Sequence, residues 1–405
     1  MLYTNEGFLQ ITARYISEII YGSIARILNW VIPVQKKHWI FGSDYGRSYR
    51  ESSKYLLEYM LTEHKDFDCC FIADTKAVKR LLDDKGIPCV LNNSLKGVWK
   101  IACCDAVFCC QNMNDIRYAF KKKGRTYYYM THGLPYKVCR EVLHEKRQYK
   151  PSKKNKILSY FSYIFCLNYQ MKDSSFVPGT SDFLAPHLSH VIGHGVPVKI
   201  IGSPRNDRFF NVNAMEAETW IEEAKEKTIV TYMPTHRQYG KGQVTPTPFA
   251  NNKFVQQWFR EHNILFLMKQ HPNMITKLGN TYHNDVIMDI TRMWLDPQVV
   301  MYHSDVLISD YSSAPLDFLI LKRPTIFYFY DNYVDIEGVL YDVTQDFPDA
   351  ICYNENELFE CIKKSIENPK SMSPGDEVVA KYHKFTDDKS CERYYNVVIA
   401  EKYYE

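Results

Sequence analysis

Long uninterrupted apolar runs are missing from this 405-residue sequence. Its most apolar helical stretch, residues 8–32, is broken by Arg14, Glu18 and Arg26, too often for a transmembrane span. No G-x-G-x-x-G occurs, so a dinucleotide fold of the dehydrogenase type has no support. Paired C-x-x-C knuckles are missing and the histidines do not stand at ligand spacing, so no metal and no cofactor are expected. No secretory signal precedes the 12 cysteines, which fits a reducing compartment. Charge of one sign is scarce too. Fifty Lys and Arg against 47 Asp and Glu leave +3, too little to argue for nucleic acid.

Aromatics are plentiful, with 31 Tyr and 22 Phe, a supply that suits stacking or a lipid interface. A chain of this length splits by default into two cores. Residues 8–32 form an amphipathic helix ended by Pro33, with Ile16, Ile20, Ile24, Ile27, Leu28 and Val31 on an apolar face. That helix belongs either to the core or to a membrane interface, with Tyr15, Tyr21 and Trp30 near headgroup level. From Lys37 onward, short apolar runs alternate with helical segments, the pattern of βα units around a parallel sheet. The run IACCDAVFCC, with Cys103, Cys104, Cys109 and Cys110, reads as buried strand. Residues 145–156 hold six cations and one anion ahead of ILSYFSYIF, a solvated run or a segment suited to an anionic membrane.

Four loops carry the chemistry. THGLPYK follows the strand-like YYYM, and His132 before Gly133 places an imidazole on a tight turn where parallel sheets keep their sites. In the second half, TIVTYMPTHR, NILFLMKQHPN and SDVLISDYSS each run from strand to polar turn. They would bring Thr235, Arg237, Lys269, His271, Asp310, Ser312 and Ser313 to one sheet edge, a convergence that phosphate demands. Ser312 and Ser313 precede a helix, and two readings stand there: they cap it, or they cradle an anion. An Asp-x-Asp at Asp66 and Asp68 precedes a strand and reads as a surface pair.

THGLPYK, GSPRND, YMPTHR, KQHPN, ISDYSSAPLDFLILKRPTIFYFYD and FTDDKSCER together resemble, in order and over residues 36–395, the motifs of the CDP-glycerol glycerophosphotransferase family, the teichoic acid primases and polymerases. His236 stands where that family commonly has Trp, and Tyr136 where it has an aliphatic residue. The resemblance implies an α/β, GT-B fold: two facing doubly wound Rossmann-like domains with a C-terminal crossover helix. The divisions expected are a membrane-associating helix at 1–34, an acceptor-side domain at 35–200, a CDP-donor domain at 201–375 and the crossover at 376–405. It implies His132 as base toward the acceptor hydroxyl and His271 on the donor diphosphate. Gly133, Lys137, Arg205, Thr235, Arg237, Lys269, Pro272, Asp310, Ser312, Ser313 and Asp317 are the implied substrate contacts. The implied reaction moves glycerol phosphate from CDP-glycerol to a lipid-linked glycan or growing polymer at the cytoplasmic face of the membrane. A sugar-transferring GT-B enzyme and a CDP-ribitol phosphotransferase are the alternatives.

Overall fold

The computed structural model describes residues 8–137, 157, 160–161, 171–192, 195–216, 218, 220–235, 245–271, 282–293, 295–331 and 338–404. The basic run at 145–156, His236, Arg237 and Pro272 lie outside these residues.

Two parallel sheets organise the chain. The first holds β1 (His38–Gly42), β2 (Asp68–Ala73), β3 (Cys89–Leu91), β4 (Ala106–Cys109) and β5 (Thr126–Tyr129), in the order β3-β2-β1-β4-β5. After a small parallel pair, β6 (Val177–Gly179) and β7 (Val198–Ile200), comes the second sheet. It contains β8 (Thr228–Tyr232), β9 (Ile264–Met268), β10 (Ile287–Asp289), β11 (Val306–Ser309), β12 (Thr325–Tyr328) and β13 (Ile351–Cys352), ordered β10-β9-β8-β11-β12-β13. In each sheet the strand order reverses direction beside the first strand. That arrangement leaves a crevice outside the carboxyl ends of the strands.

The principal helices are α1 (Phe8–Val31), α2 (Glu51–Glu63), α3 (Lys76–Asp84), α4 (Leu95–Cys103), α5 (Ala185–Ile192), α6 (Lys253–Glu261), α7 (Pro297–His303), α8 (Ala314–Phe318), α9 (Glu355–Glu367) and α10 (Ser390–Ile399). Alternation along the strands feeds a core on each face of the first sheet, because successive side chains point to opposite sides. Trp39, Phe41, Phe71 and Phe108 enter one cluster, while Ile40, Cys70, Ile72 and Val107 enter the other. Phe41 and Phe108 stack at 4.7 Å and Phe108 and Tyr128 at 5.0 Å, a ladder across β1, β4 and β5.

The chain's last helix returns to this first sheet. Cys391, Tyr394 and Val398, spaced along one face of α10, lie in the same cluster as Phe108 and Tyr128. Both oxygens of Asp207 accept from the start of α10, from the N–H of Ser390 at 3.0 Å and of Cys391 at 2.7 Å. The PRND and DDKSCER motifs therefore meet as a cap and its helix. Burial pushes the Asp207 carboxyl up to about 6, outweighing the hydrogen bonds it accepts.

Two expectations need correction. The cysteine run is not one strand: Cys103 ends α4, Cys104 follows it, and only Cys109 lies within β4. All four cysteines are buried and none of them is in a disulfide, and helix and strand are equally apolar here because both face the core. The single apolar face assigned to residues 8–32 is in fact two. Tyr21, Ile24, Ala25 and Leu28 pack inward, whereas Ile16, Ile20, Ile27 and Val31 are exposed.

Candidate active site

β5 delivers the first group. Thr131 sits at φ 61°, a left-handed conformation that a β-branched residue adopts only under strain, and His132 follows it. The imidazole is open to solvent but ringed by protein in the crease between the sheets. Burial lowers its pKa below the usual histidine value. Glu51 opposes that shift, and the positive charges of Arg205 and Lys137 add to it. Nδ1 lies 3.3 Å from the Tyr129 hydroxyl, which itself contacts the Gln111 carbonyl at 3.4 Å. That carbonyl can only accept, so the Tyr129 proton goes there and the hydroxyl oxygen takes the proton on Nδ1. Nε2 is left with its lone pair, the form a base requires.

The second sheet delivers the rest. β8, β9 and β11 are adjacent and end at Thr235, at Lys269 with His271, and at Asp310 with Ser312 and Ser313. Thr235 donates its backbone N–H to Asp310 at 2.8 Å, so the buried carboxylate ties two of these loops together. Lys269 is 7% exposed; its backbone N–H donates to the Tyr232 carbonyl at 2.9 Å, while its ammonium has no hydrogen-bond or ion-pair partner among the described residues. Burial and then the nearby Arg50 cation lower its pKa to about 8, against the opposing charges of Asp296 and Asp289. A buried ammonium beside a second cation is a place built for an anion.

The two readings of Ser312 and Ser313 separate in the structure. Ser312 Oγ accepts from the Ala314 N–H at 3.3 Å, while Ser313, at the cap position, makes no side-chain cap. The helix behind them, α8, is only five residues long and continues into a 3₁₀ turn. Ser313 instead lies against the loop of the other domain, where a Cβ built on Gly133 would collide with its hydroxyl. Glycine at 133 lets the histidine loop close on the serine loop. Gly133→Ala is therefore expected to push these loops apart and lower turnover at least about tenfold, since small misplacements at a reacting centre are that costly. Steady-state kinetics with a thermal melt would check it.

Between the domains stands Arg205, 5% exposed. Its guanidinium pairs with Glu51 at the start of α2 at 2.7 Å, pairs with Asp317 in α8, and donates to the His132 carbonyl at 2.9 Å. Asn206 donates to Asp317 at 2.9 Å. Arg205 and Asp317 are thus joined to each other across the crease. Lys137 forms an antiparallel bridge with Val339, and the Leu340 N–H donates to Tyr136. Tyr136 is buried against Tyr341, ring centres 5.3 Å apart, where its bulk fills the inter-domain seam. Pattern reading did not single out Arg50, Glu51, Lys54 or Asp296. Lys54 and Tyr55 both reach Asp296 at 2.9 Å, a further bridge between the halves. Asp66 and Asp68 pair with Lys37 and with His38 and Lys100, away from this crease. No group of acidic, Cys and His side chains among the described residues is arranged to hold a metal ion.

The model of the family described as CDP-Glycerol:Poly(glycerophosphate) glycerophosphotransferase matches residues 24–400. The teichoic acid glycerol-phosphate primase of Bacillus subtilis (strain 168) is 28% identical over 200 residues, covering 49% of this chain and only about half, 50%, of that protein. The teichoic acid glycerol-phosphate transferase of Staphylococcus aureus (strain NCTC 8325 / PS 47) is 26% identical over 367 residues, 86% of this chain and 89% of that one. Among solved structures, the wall teichoic acid polymerase TagF superposes with a TM-score of 0.71 at 19% identity, covering 98% of each chain. At that identity the likeness speaks for the two-domain fold.

Proposed function

This chain belongs to the CDP-glycerol:poly(glycerophosphate) glycerophosphotransferase family, and we propose that it transfers glycerol phosphate from CDP-glycerol to a hydroxyl of a lipid-linked, teichoic-acid-type polymer. The observation that carries the reading is the meeting of His132, its Nδ1 against the Tyr129 hydroxyl, and the Gly133–Ser313 contact at the mouth of the phosphate loops. The acceptor hydroxyl gives its proton to Nε2 while its oxygen attacks the β-phosphorus of the donor. A new P–O bond forms, the bond to the α-phosphate oxygen breaks, and CMP leaves. Lys269, His271 and the Ser313 hydroxyl balance charge on the diphosphate, the work that a divalent ion does in many phosphoryl transferases. Arg205, which donates to the His132 carbonyl, positions the histidine loop.

The reading places the enzyme on the cytoplasmic face of the membrane as a peripheral protein. No helix of the described residues is long and apolar enough to cross a bilayer.

A panel of CDP-glycerol, CDP-ribitol and nucleotide sugars tests donor choice by calorimetry. Tight binding of CDP-glycerol that weakens in Lys269→Met supports the assignment, and binding of a UDP-sugar alone overturns it. The pH profile is a further expectation. His132 works as the neutral base, so kcat/KM rises as pH climbs through its lowered pKa. Lys269 works as the cation, so kcat/KM falls above about 8. Lys269→Arg should keep the acid limb and shift or remove the alkaline one.

A further inference from the structure

The first sheet has a crevice of its own where the strand order reverses, between the loops that follow β1 and β4. It is tied in the same way as its counterpart in the second sheet. There Asp310, after β11, accepts the N–H of Thr235, after β8, at 2.8 Å; here Asp115, after β4, accepts the N–H of Tyr45, after β1, at 2.8 Å. The other Asp115 oxygen accepts from the N–H groups of Cys110 at 2.9 Å and Gln111 at 2.7 Å, and the carboxylate is buried. One side chain thus fixes both walls. From Gln111 the contacts run through the Tyr129 hydroxyl to His132, so the crevice adjoins the base.

The loop after β1 is held in a costly shape. Asp44, Tyr45 and Gly46 stand in succession at φ 47°, 58° and 73°, left-handed conformations that side chains seldom adopt in a run. Glycine is needed at 46, because a Cβ there would meet the Asp74 nitrogen, whose N–H donates to the Gly46 carbonyl at 2.7 Å. Strain held by this many ties gathers at ligand sites. The shape sends two arginines to different neighbours. Arg50 pairs with Asp44 at 3.0 Å, and its charge acts on Lys269 across the crease. Arg47 stays with the first sheet, its Nε 3.8 Å from Asp74, a carboxylate that already accepts from Arg117 at 3.0 Å. The Arg47 guanidinium makes no hydrogen bond among the described residues, and its side chain is 32% exposed. The half-buried Gln111 uses its backbone N–H and carbonyl, and its side-chain amide has no partner among the described residues. Carboxylates nearby are engaged: Asp44 by Arg50 and Ser48, Glu51 by Arg205, and Asp115 by its three N–H groups.

We propose that this crevice is the acceptor subsite, in which Arg47 grips a phosphate one polyol unit back from the reacting hydroxyl and the Gln111 amide holds the hydroxyls between them. A planar guanidinium with open donors suits a phosphodiester, and an amide that both donates and accepts suits a polyol. The loop carrying Arg47 and Arg50 then serves both substrates, with Arg47 on the acceptor and Arg50 beside the donor's phosphate site. The subsite rests on the transferase reading above and adds to it a preference: an acceptor already ending in a polyol phosphate is favoured over a bare glycan.

The test uses the full chain and two lipid-linked glycan acceptors, one bare and one carrying a single terminal glycerol phosphate unit. Arg47→Gln should raise KM for the second acceptor about tenfold, the worth of a hydrogen-bonded charge, and KM for the bare one less than twofold. Arg47→Lys should recover part of that loss, and the thermal melt and the CDP-glycerol affinity should stay as in the wild type. Equal rises on both acceptors would overturn the proposal by moving the phosphate to the lipid linkage, and a fall in CDP-glycerol affinity would overturn it by moving Arg47 to the donor. Calorimetry with a synthetic glycerol phosphate dimer reads the subsite without any transfer. The dimer should bind the wild type, bind Arg47→Gln about tenfold more weakly, and remain bound when CDP-glycerol is added. No binding, or displacement by CDP-glycerol, would overturn the subsite. A wild type that transfers glycerol phosphate while Arg47→Gln matches it on both acceptors would sink the subsite and leave the transferase reading standing.

Discussion

His132→Ala is expected to lower CMP release from CDP-glycerol by about 10²–10⁴-fold while leaving donor binding nearly intact, the size of effect that a positioned general base contributes. The imidazole has its Nδ1 engaged by Tyr129 and a pKa held down by burial, which favours the neutral form. His132→Asn keeps a hydrogen-bonding side chain of similar reach but cannot take a proton, so it should be as inactive as Ala. Tyr129→Phe should cost less, because it loosens the ring without removing the base. Its readout is a shift in the acid limb of the pH profile rather than a loss of the limb. Donor affinity by calorimetry separates a missing base from a collapsed site: an unchanged affinity in His132→Ala locates the loss in chemistry.

Arg205→Met should produce the largest fall in stability, about 3–5 kcal/mol, because it leaves the Glu51 and Asp317 carboxylates without their common cation. The Asp317 side chain is only 2% exposed and would keep Asn206 as its one remaining described donor. The energy of the intact pair is a separate matter. Much of the loss is the penalty of a stranded buried charge, so Arg205→Met with Asp317→Leu should recover part of it. Thermal melts of the single and double variants check this. Arg205→Lys keeps one charge but not the planar fork that reaches Glu51, Asp317 and the His132 carbonyl together. It should remain folded and lose kcat more than donor affinity, since the histidine loop would lose its anchor. An Arg205→Lys variant with normal kcat would show that the loop holds without it.

Much of the scaffold could be read from local pattern. The strands at 38–42, 68–73, 106–109 and 126–129 and the helices between them follow from apolar runs and turn residues, because in a doubly wound domain each element's burial is written in its own residues. The position of His132 was legible for the same reason: a strand, then His-Gly, then Pro. What escaped was everything decided by partners far away in the chain. Arg205 meets Glu51 across 154 residues and Asp317 across 112, and no local pattern shows that an arginine will bridge elements so far apart in the chain. Ser312 and Ser313 look alike in sequence, yet one caps α8 and the other abuts Gly133, a difference set by the packing of one domain on the other. The outer stripe of α1 was hidden because both of its faces are apolar, so periodicity merged them into one.

The central claim is that a polyol phosphate, not a sugar, crosses to the acceptor, and product mass analysis tests it most directly. Purified protein with CDP-glycerol and a lipid-linked acceptor should yield an acceptor heavier by one or more glycerol phosphate units, with one CMP released for each. An acceptor that gains mass without phosphorus from a nucleotide sugar, with a nucleoside diphosphate as the by-product, would contradict it.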